Sequence, residues 1–154
     1  YISEFTHSTD DFKSERKVPL KHAEILRRGK WIQPFNHVTI MFHKSMYIKS
    51  GGYAFTSVLE DSYLFFRMVK NNAQFHNIPK TLVYVRANND QLLRRHGFKY
   101  FKEEFFLYLA MFRSGYINLW NLLINLVIRF TLRCAPIVFL RFFTKFIFRS
   151  NLHP

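Results

Sequence analysis

Residues 51–68, GGYAFTSVLEDSYLFFRM, place two glycines and then two adjacent acids in front of an aromatic-rich run. Apolar residues recur at helical spacing after the acids, which predicts a helix over residues 60–72. The Gly51-Gly52 pair predicts a turn, or a close approach of the backbone to another group, just before that helix. The stretch therefore predicts a turn that leads directly into an amphipathic helix.

The two acids fall at different positions around this helix. At about 100° per residue, Asp61 lies on the centre line of the apolar stripe that contains Leu64, Phe65 and Met68, and Glu60 lies about 100° away. Acids in the first turn of a helix interact favourably with its dipole, at about 0.3–1 kcal/mol each, which is one interpretation of the pair. The alternative is that Asp61 faces a cavity at the helix end and abstracts a proton from a hydroxyl as a general base.

The segments on either side predict a mixture of helices and strands. Apolar residues at helical spacing predict helices within residues 20–31 and over residues 98–113. Alternating apolar residues predict a strand over 36–45, and β-branched and aromatic residues predict another over 81–86. The predicted fold class is therefore α/β.

Positive charge is concentrated toward the C-terminus. The 154 residues carry a formal charge of +13, and all ten acids lie at or before Glu104. Six Arg or Lys residues follow Glu104 without any acid, which predicts an anionic partner, either a membrane surface or a nucleic acid. The single cysteine, Cys134, excludes an intramolecular disulfide.

The last forty residues differ in composition from the rest. Residues 116–128 are too few and too rich in Asn for an ordinary membrane span of about 20 residues. Three later cations are spaced four apart and share one helical face, with Phe over much of the remainder: Arg141, Lys145 and Arg149. This pattern is typical of a basic helix in the headgroup plane of a membrane, so we predict a membrane-associating amphipathic tail over residues 116–154.

Several short motifs recur in a specific order. They are Asn36-His37-x-Thr39, Gly51-Gly52-Tyr53, Glu60-Asp61-x-x-Leu64 with Arg67, Asn77-Ile78-Pro79, Tyr84-x-Arg86 and Arg94-Arg95. The set resembles the C-terminal half of family 2 glycosyltransferases with a GT-A fold, of the type that builds amylovoran, capsular polysaccharide and O-antigen. The resemblance covers roughly residues 1–115. It implies a partial GT-A domain, Rossmann-like with a mixed sheet.

The resemblance implies a role for several residues. Asp61 would deprotonate the acceptor sugar hydroxyl, which attacks a nucleotide-sugar with inversion, and Glu60 would help to orient the site. The Gly51-Gly52 pair would approach the substrate, with a plain turn as the alternative. The Arg94-Arg95 pair would contact the donor phosphates, with a solvated basic loop as the alternative. Arg67 is expected either to pair with Glu60 or to be solvated.

A divalent metal, Mg or Mn, is expected for the complete enzyme. The family holds it with an Asp-x-Asp motif in an N-terminal nucleotide-binding half, and no such motif ends an apolar strand here. Because the sequence starts at Tyr1, we expect it to be part of a longer enzyme. His96 is a candidate metal ligand, and His37 and His43 are a candidate zinc pair, with structural roles as the alternative.

The expected partners are a nucleotide-sugar donor, a saccharide or polyprenyl-diphosphate-linked acceptor and an anionic membrane surface, and no nucleic acid is expected. The predicted location is cytoplasmic, peripheral on the inner face of a bacterial plasma membrane. Arg95 replaces the Trp of the Gln-x-x-Arg-Trp motif of processive synthases, which favours single-sugar addition. The alternatives are a non-catalytic basic module that binds a membrane or nucleic acid, and an inactive truncated remnant.

Overall fold

The structure is a computed structural model that describes residues 2–5, 12–53, 58–86 and 95–134. Three strands lie in these ranges: β1 (Ile2–Phe5), β2 (Phe12–Arg16) and β3 (Val83–Arg86). The helices there are α1 (His22–Gly29), α2 (Lys44–Lys49), α3 (Glu60–Lys70), α4 (Phe98–Arg113) and α5 (Leu119–Cys134), with a short 3-10 helix at His37–Thr39. The described chain is therefore mixed α/β and mostly helical.

The sheet has the strand order β2-β1-β3 and is mixed. β1 pairs antiparallel with β2, with Ile2 opposite Arg16, and parallel with β3, with Ile2 opposite Val83. Parallel neighbours need a long crossover connection, and here that connection contains α1, α2 and α3. The strand predicted over 81–86 is confirmed at Val83–Arg86, whereas β2 was not predicted.

The helix α3 lies between two packed groups of side chains. Phe66 packs with Leu107 and Met111 of α4 in the larger hydrophobic cluster. Leu64 and Met68 pack with Ala73 in a second cluster, which Met46 and Tyr47 of α2 cover. Burial on two sides explains why the helix predicted over residues 60–72 is confirmed, at Glu60–Lys70.

The other predicted helices are confirmed as well, at α1 and α4. Ile25 of α1 is buried, and Gly29 at its end lies so close to α3 that a Cβ there would meet Phe65 Cε1 at 2.5 Å. The Tyr116 hydroxyl donates to the Leu26 carbonyl at 2.7 Å, which ties α1 to the turn between α4 and α5. The Asn77 side chain donates to the carbonyls of Pro19 and Pro34 and fixes the two ends of the segment that holds α1.

The strand predicted over residues 36–45 is wrong. The chain instead forms the 3-10 helix and then α2. Local hydrogen bonds satisfy its backbone, since both the N–H and the hydroxyl of Thr39 donate to the Asn36 carbonyl, at 2.9 and 2.8 Å. Neither side of the alternating pattern faces a core, since Val38 is exposed and Met41 is 96% exposed.

Helix α5 packs on the rest of the chain through apolar and polar side chains, with Leu122 in the larger hydrophobic cluster. Asn125 is buried and donates to the Lys30 carbonyl at 3.0 Å, while Arg133 donates to both carboxylate oxygens of Glu104 at 2.9 and 3.0 Å. None of the helices in the described ranges is both long and apolar enough to cross a membrane. The tail cations Arg141, Lys145 and Arg149 lie outside the described residues, and the predicted division at residue 115 stays a prediction.

Candidate functional site

The N-terminal end of α3 carries both acids of the opening motif. Glu60 and Asp61 form its first turn, and both are half-buried, whereas Leu64 and Met68 further along are buried. Asp61 Oδ1 accepts hydrogen bonds from the backbone N–H of Ser62 at 2.7 Å and from its hydroxyl at 3.2 Å. A carboxylate on the core-facing side of the helix thus stays accessible at the helix end.

The turn before α3 has a geometry that requires glycine. Gly51 and Gly52 have φ values of +74° and +62°, a region in which other residues are strained. A Cβ on Gly52 would lie 3.0 Å from Tyr47 Oη, whereas one on Gly51 would point into open space. The Gly52 N–H donates to the Tyr47 carbonyl at 3.0 Å, so the turn is attached to α2.

Arg67 attaches the same turn to α3. Its Nη2 donates to the Gly52 carbonyl, so the side chain reaches back across two turns of the helix to the glycine pair. The sequence predicted that Arg67 would either pair with Glu60 or be solvated. Neither prediction includes this contact with Gly52. The role of Arg67 was missed because its acceptor is a backbone atom 15 residues away.

An aromatic group lies beside the acids. The Tyr53 and His37 rings make an edge-to-face contact with centroids 5.7 Å apart, and the Tyr53 hydroxyl lies 3.5 Å from His37 Nε2. Tyr47 packs edge-on against Tyr53 at 5.5 Å, and its hydroxyl accepts from the Tyr53 N–H at 3.3 Å. The sequence signal for this group is the Gly51-Gly52-Tyr53 motif, although nothing in it predicts that His37 is a neighbour.

The electrostatics show that this group and the two acids share one region. Burial raises the pKa of the Tyr53 phenol, and the charges of Tyr47, Asp61 and Glu60 raise it further. The phenol is therefore a hydrogen-bond donor at neutral pH. In the neighbouring Asn36-His37 motif, Asn36 Oδ1 and His37 Nδ1 are buried without a hydrogen-bond partner among the described residues, which is unusual for native polar atoms.

Arg95 and Asp61 have one electrostatic neighbour in common, the phenol of Tyr100. Burial raises the pKa of Tyr100, the charges of Arg133 and Arg95 lower it, and those of Glu104 and Asp61 raise it. Tyr100 is thus within electrostatic range of both Arg95 and Asp61. Arg94 lies outside the described residues, so the predicted Arg94-Arg95 phosphate contact stays a prediction.

The candidate metal ligands do not form a metal site. In the part of the chain that the structure describes, no three His, Cys, Asp or Glu side chains are placed to hold one ion. The zinc pair of His37 and His43 was inferred from a shared strand face, and no strand forms there: His37 begins the 3-10 helix and His43 precedes α2. His96 precedes α4 and is half-buried, and its role as a metal ligand stays a prediction, as does the Mg or Mn expected for the complete enzyme.

The described groups are of the types that hydrogen-bond to a polyhydroxylated ligand and accept its protons. A reachable carboxylate, a protonated phenol and an imidazole lie beside exposed aromatic faces, and the glycine turn fixes them relative to α3. Carboxylates act as general bases toward hydroxyl groups, and hydroxyl and imidazole groups hydrogen-bond to them.

Comparison with known proteins shows which enzymes the chain is similar to. The chain is 34% identical over 135 residues to an "uncharacterized glycosyltransferase" of Haemophilus influenzae. The match covers 88% of this chain and 50% of that protein. The chain is therefore homologous to part of a bacterial glycosyltransferase. This confirms the resemblance to glycosyltransferases seen in the ordered motifs.

Two further relatives have more specific names. The chain is 30% identical over 152 residues to the UDP-Gal:alpha-D-GlcNAc-diphosphoundecaprenol beta-1,3-galactosyltransferase of Escherichia coli. The match covers 99% of this chain and 55% of that enzyme. The chain is 32% identical over 114 residues to the amylovoran biosynthesis glycosyltransferase AmsE of Erwinia amylovora, covering 71% and 43%. The chain thus spans about half the length of the relatives it matches.

Two other comparisons gave no match. No protein-family profile matches the sequence, and no solved structure matches it at a significant level.

Proposed function

We propose that the chain is the acceptor-side, C-terminal half of an inverting family 2 glycosyltransferase with a GT-A fold. The enzyme would transfer one sugar from a nucleotide-sugar to a saccharide carried on a polyprenyl diphosphate, in the synthesis of a bacterial surface polysaccharide such as capsule or O-antigen. Support comes from the ordered motifs and from the relative that acts on a diphosphoundecaprenol-linked sugar. A divalent metal, Mg or Mn, is part of this proposal for the complete enzyme, and no step here depends on it.

In the proposed reaction Asp61 is the catalytic base. Its carboxylate takes the proton of an acceptor hydroxyl while that oxygen attacks the anomeric carbon of the donor from the face opposite the leaving group. The bond from the anomeric carbon to the diphosphate oxygen breaks, so the nucleoside diphosphate leaves with the electron pair and the configuration inverts. Tyr53 and Glu60 would orient the acceptor, because both lie in the same region as Asp61.

One observation carries the assignment of Asp61. The carboxylate lies on the core-facing side of α3 and yet is only half-buried, because the helix begins there and leaves its first turn accessible. Asp61 is also on the helix that two hydrophobic clusters and the Arg67 contact hold in place. A base needs such fixed placement, since a displacement of about 1 Å can cost a factor of about 100 in rate.

The test compares sugar transfer by the full-length gene product with and without the Asp61→Asn substitution. General-base catalysis contributes about 10²–10⁴-fold, so we expect kcat to fall by that factor with an unchanged unfolding midpoint. Glu24→Gln in α1 is the matched control, since it also removes a half-buried carboxylate and should retain wild-type turnover. Near-normal turnover by Asp61→Asn would show that another group is the base.

We further propose that the protein is peripheral on the cytoplasmic face of the plasma membrane, where a polyprenyl-linked acceptor is found. A purely electrostatic contact, with a nucleic acid or with anionic lipid, has fewer cations than the sequence suggests. Of the six cations that follow Glu104, Arg129 and Arg133 pair with Glu104 itself. These two side chains are therefore not available to an outside polyanion.

A further inference from the structure

Helix α5 carries apolar residues on both of its sides. The side toward the protein body carries Leu122 and Leu126, which pack in the larger hydrophobic cluster, together with Asn125, which is buried, and Arg129 and Arg133, which are half-buried. The outward side is apolar and carries five exposed large side chains: Trp120, Leu123, Ile124, Val127 and Ile128. At about 100° per residue, Trp120 and Arg129 lie about 180° apart, so the two sides are truly opposite.

Polar contacts hold α5 in this orientation. Arg133 forms a bidentate pair with Glu104, and Arg129 Nη1 lies 3.5 Å from the same carboxylate. Arg129 Nη2 also donates to the Trp31 carbonyl at 2.6 Å and to the Tyr108 hydroxyl at 3.1 Å. Rotating the helix to hide its apolar side would break all of these contacts, so the apolar side must stay outward.

The exposed side is too apolar to be an ordinary solvated surface. Trp120 is 72% exposed and Val127 is 67% exposed, and both belong to one continuous stripe with Leu123 and Ile124. Single exposed apolar residues are common, whereas contiguous patches mark interaction sites. The stripe spans residues 120–128, so this part of α5 needs a covering partner.

We propose that a lipid bilayer covers this stripe, with α5 lying along the membrane interface. The choice of a bilayer rests on the proposed lipid-linked acceptor and on the distribution of charge. Lys99 and Lys102 are exposed in the first two turns of α4, near the last turn of α5, since the Gly97 N–H donates to the Arg133 carbonyl at 2.9 Å. These two cations provide positive charge near the C-terminal end of α5 for an anionic lipid surface, and the sequence after Cys134 has three more cations and no acid.

The contacts of α5 also relate the membrane to the catalytic helix. α5 is fixed to α4, and α4 packs on α3 through Leu107, Met111 and Phe66 in the larger hydrophobic cluster. A bilayer in contact with the stripe would thus have a defined position relative to Asp61. This differs from docking by a flexible basic tail, which would leave that position undefined.

The test measures binding of the protein to vesicles of phosphatidylglycerol and phosphatidylcholine through Trp120 fluorescence. These 154 residues contain two tryptophans, so Trp31→Phe leaves Trp120 as their only reporter, and comparison with Trp31→Phe combined with Trp120→Phe isolates the Trp120 emission in the full-length protein. The Trp31 carbonyl contacts do not depend on the Trp31 side chain. We expect a blue shift of the Trp120 emission on adding vesicles, because the indole leaves water. No shift at any lipid concentration would overturn the proposal.

A pair of matched variants tests the stripe itself. Leu123→Ser with Val127→Ser should weaken vesicle binding at least about tenfold, as expected for losing two apolar side chains from a lipid contact. The control is Ile48→Ser with Leu82→Ser, which also removes exposed apolar side chains, of which Ile48 is 64% exposed, and should bind as the parent does. Equal binding by the two variants would overturn the proposal.

Two further measurements separate this proposal from its rivals. If the stripe variant changes the mass of the protein in light scattering but not its vesicle binding, a second copy covers the face and the proposal is wrong. Asp61→Asn should bind vesicles like the parent, because binding requires no sugar transfer. Failure of catalysis and failure of membrane contact are therefore observed independently.

Discussion

Replacing Glu104 by Gln should destabilise the protein more than any other single loss of charge in the described chain. Glu104 is 4% exposed and is paired with two arginines that come from the other helix of the hairpin. Burial alone would lower the pKa of Arg133, but its hydrogen bonds and charge interaction with Glu104 raise it. The carboxylate is thus what makes two half-buried guanidinium groups tolerable in this place.

The size of the effect follows from the contacts. Breaking a buried ion pair by removing one partner costs about 3–5 kcal/mol, because a buried charge is left unpaired. The arginine side chains here are 15% and 13% exposed and can reach water in part, and Gln keeps one oxygen as an acceptor. We therefore expect a loss of about 2–3 kcal/mol in the free energy of unfolding.

Urea unfolding of Glu104→Gln and of the control Glu103→Gln measures this loss. Glu103 is half-buried on the same helix, and we expect its substitution to cost less than about 0.5 kcal/mol. Amide exchange should show that the loss of protection is centred on α5, because α5 depends on this carboxylate for its orientation. A difference of less than about 1 kcal/mol between the two variants would refute the reasoning.

Two other predictions concern the glycine turn and alkaline pH. Both Gly51→Ala and Gly52→Ala should cost about 1–2 kcal/mol of stability from positive φ, and Gly52→Ala should cost more, because its Cβ lies 3.0 Å from Tyr47 Oη. Urea midpoints check this, and a larger cost at Gly51 would contradict it. Burial raises the pKa of Tyr116 above its ordinary 10.0. The contribution of this residue to the free energy of unfolding is therefore complete below about pH 10. It falls as the pH rises further, because the unfolded state then loses a proton that the folded state keeps. Tyr116→Phe should reduce this fall in alkaline urea titrations, and an unchanged slope would mean that Tyr116 does not contribute.

The sequence predicted those elements whose apolar pattern is buried. Helices α1, α3 and α4 each bury an apolar face, so their 3.6-residue periodicity reports their real environment. The pattern over residues 36–45 failed because its apolar residues are exposed, and exposed positions carry no information about the pairing of strands. Alternation predicts a strand only where a sheet and a core are present to receive it.

The candidate site was predicted in part. The site residues predicted from the sequence include Gly52 and Asp61 but not Tyr53, and the structure brings Tyr53 and Asp61 within electrostatic range of each other. Arg67 was missed, and so was the contact of Tyr53 with His37, because each depends on a partner about 15 residues away in the sequence. Local pattern cannot supply such pairs, since the path of the intervening chain decides them.

The structure also changes the physical basis of the predicted membrane contact. From the sequence, the six cations after Glu104 predicted an anionic partner, and the Phe-rich pattern around the last three predicted an interfacial helix. Arg129 and Arg133 instead neutralise a buried acid and turn the apolar side of α5 outward. In the proposed membrane contact these two cations would therefore act by orienting hydrophobic side chains, an effect that salt screens far less than the attraction between exposed charges.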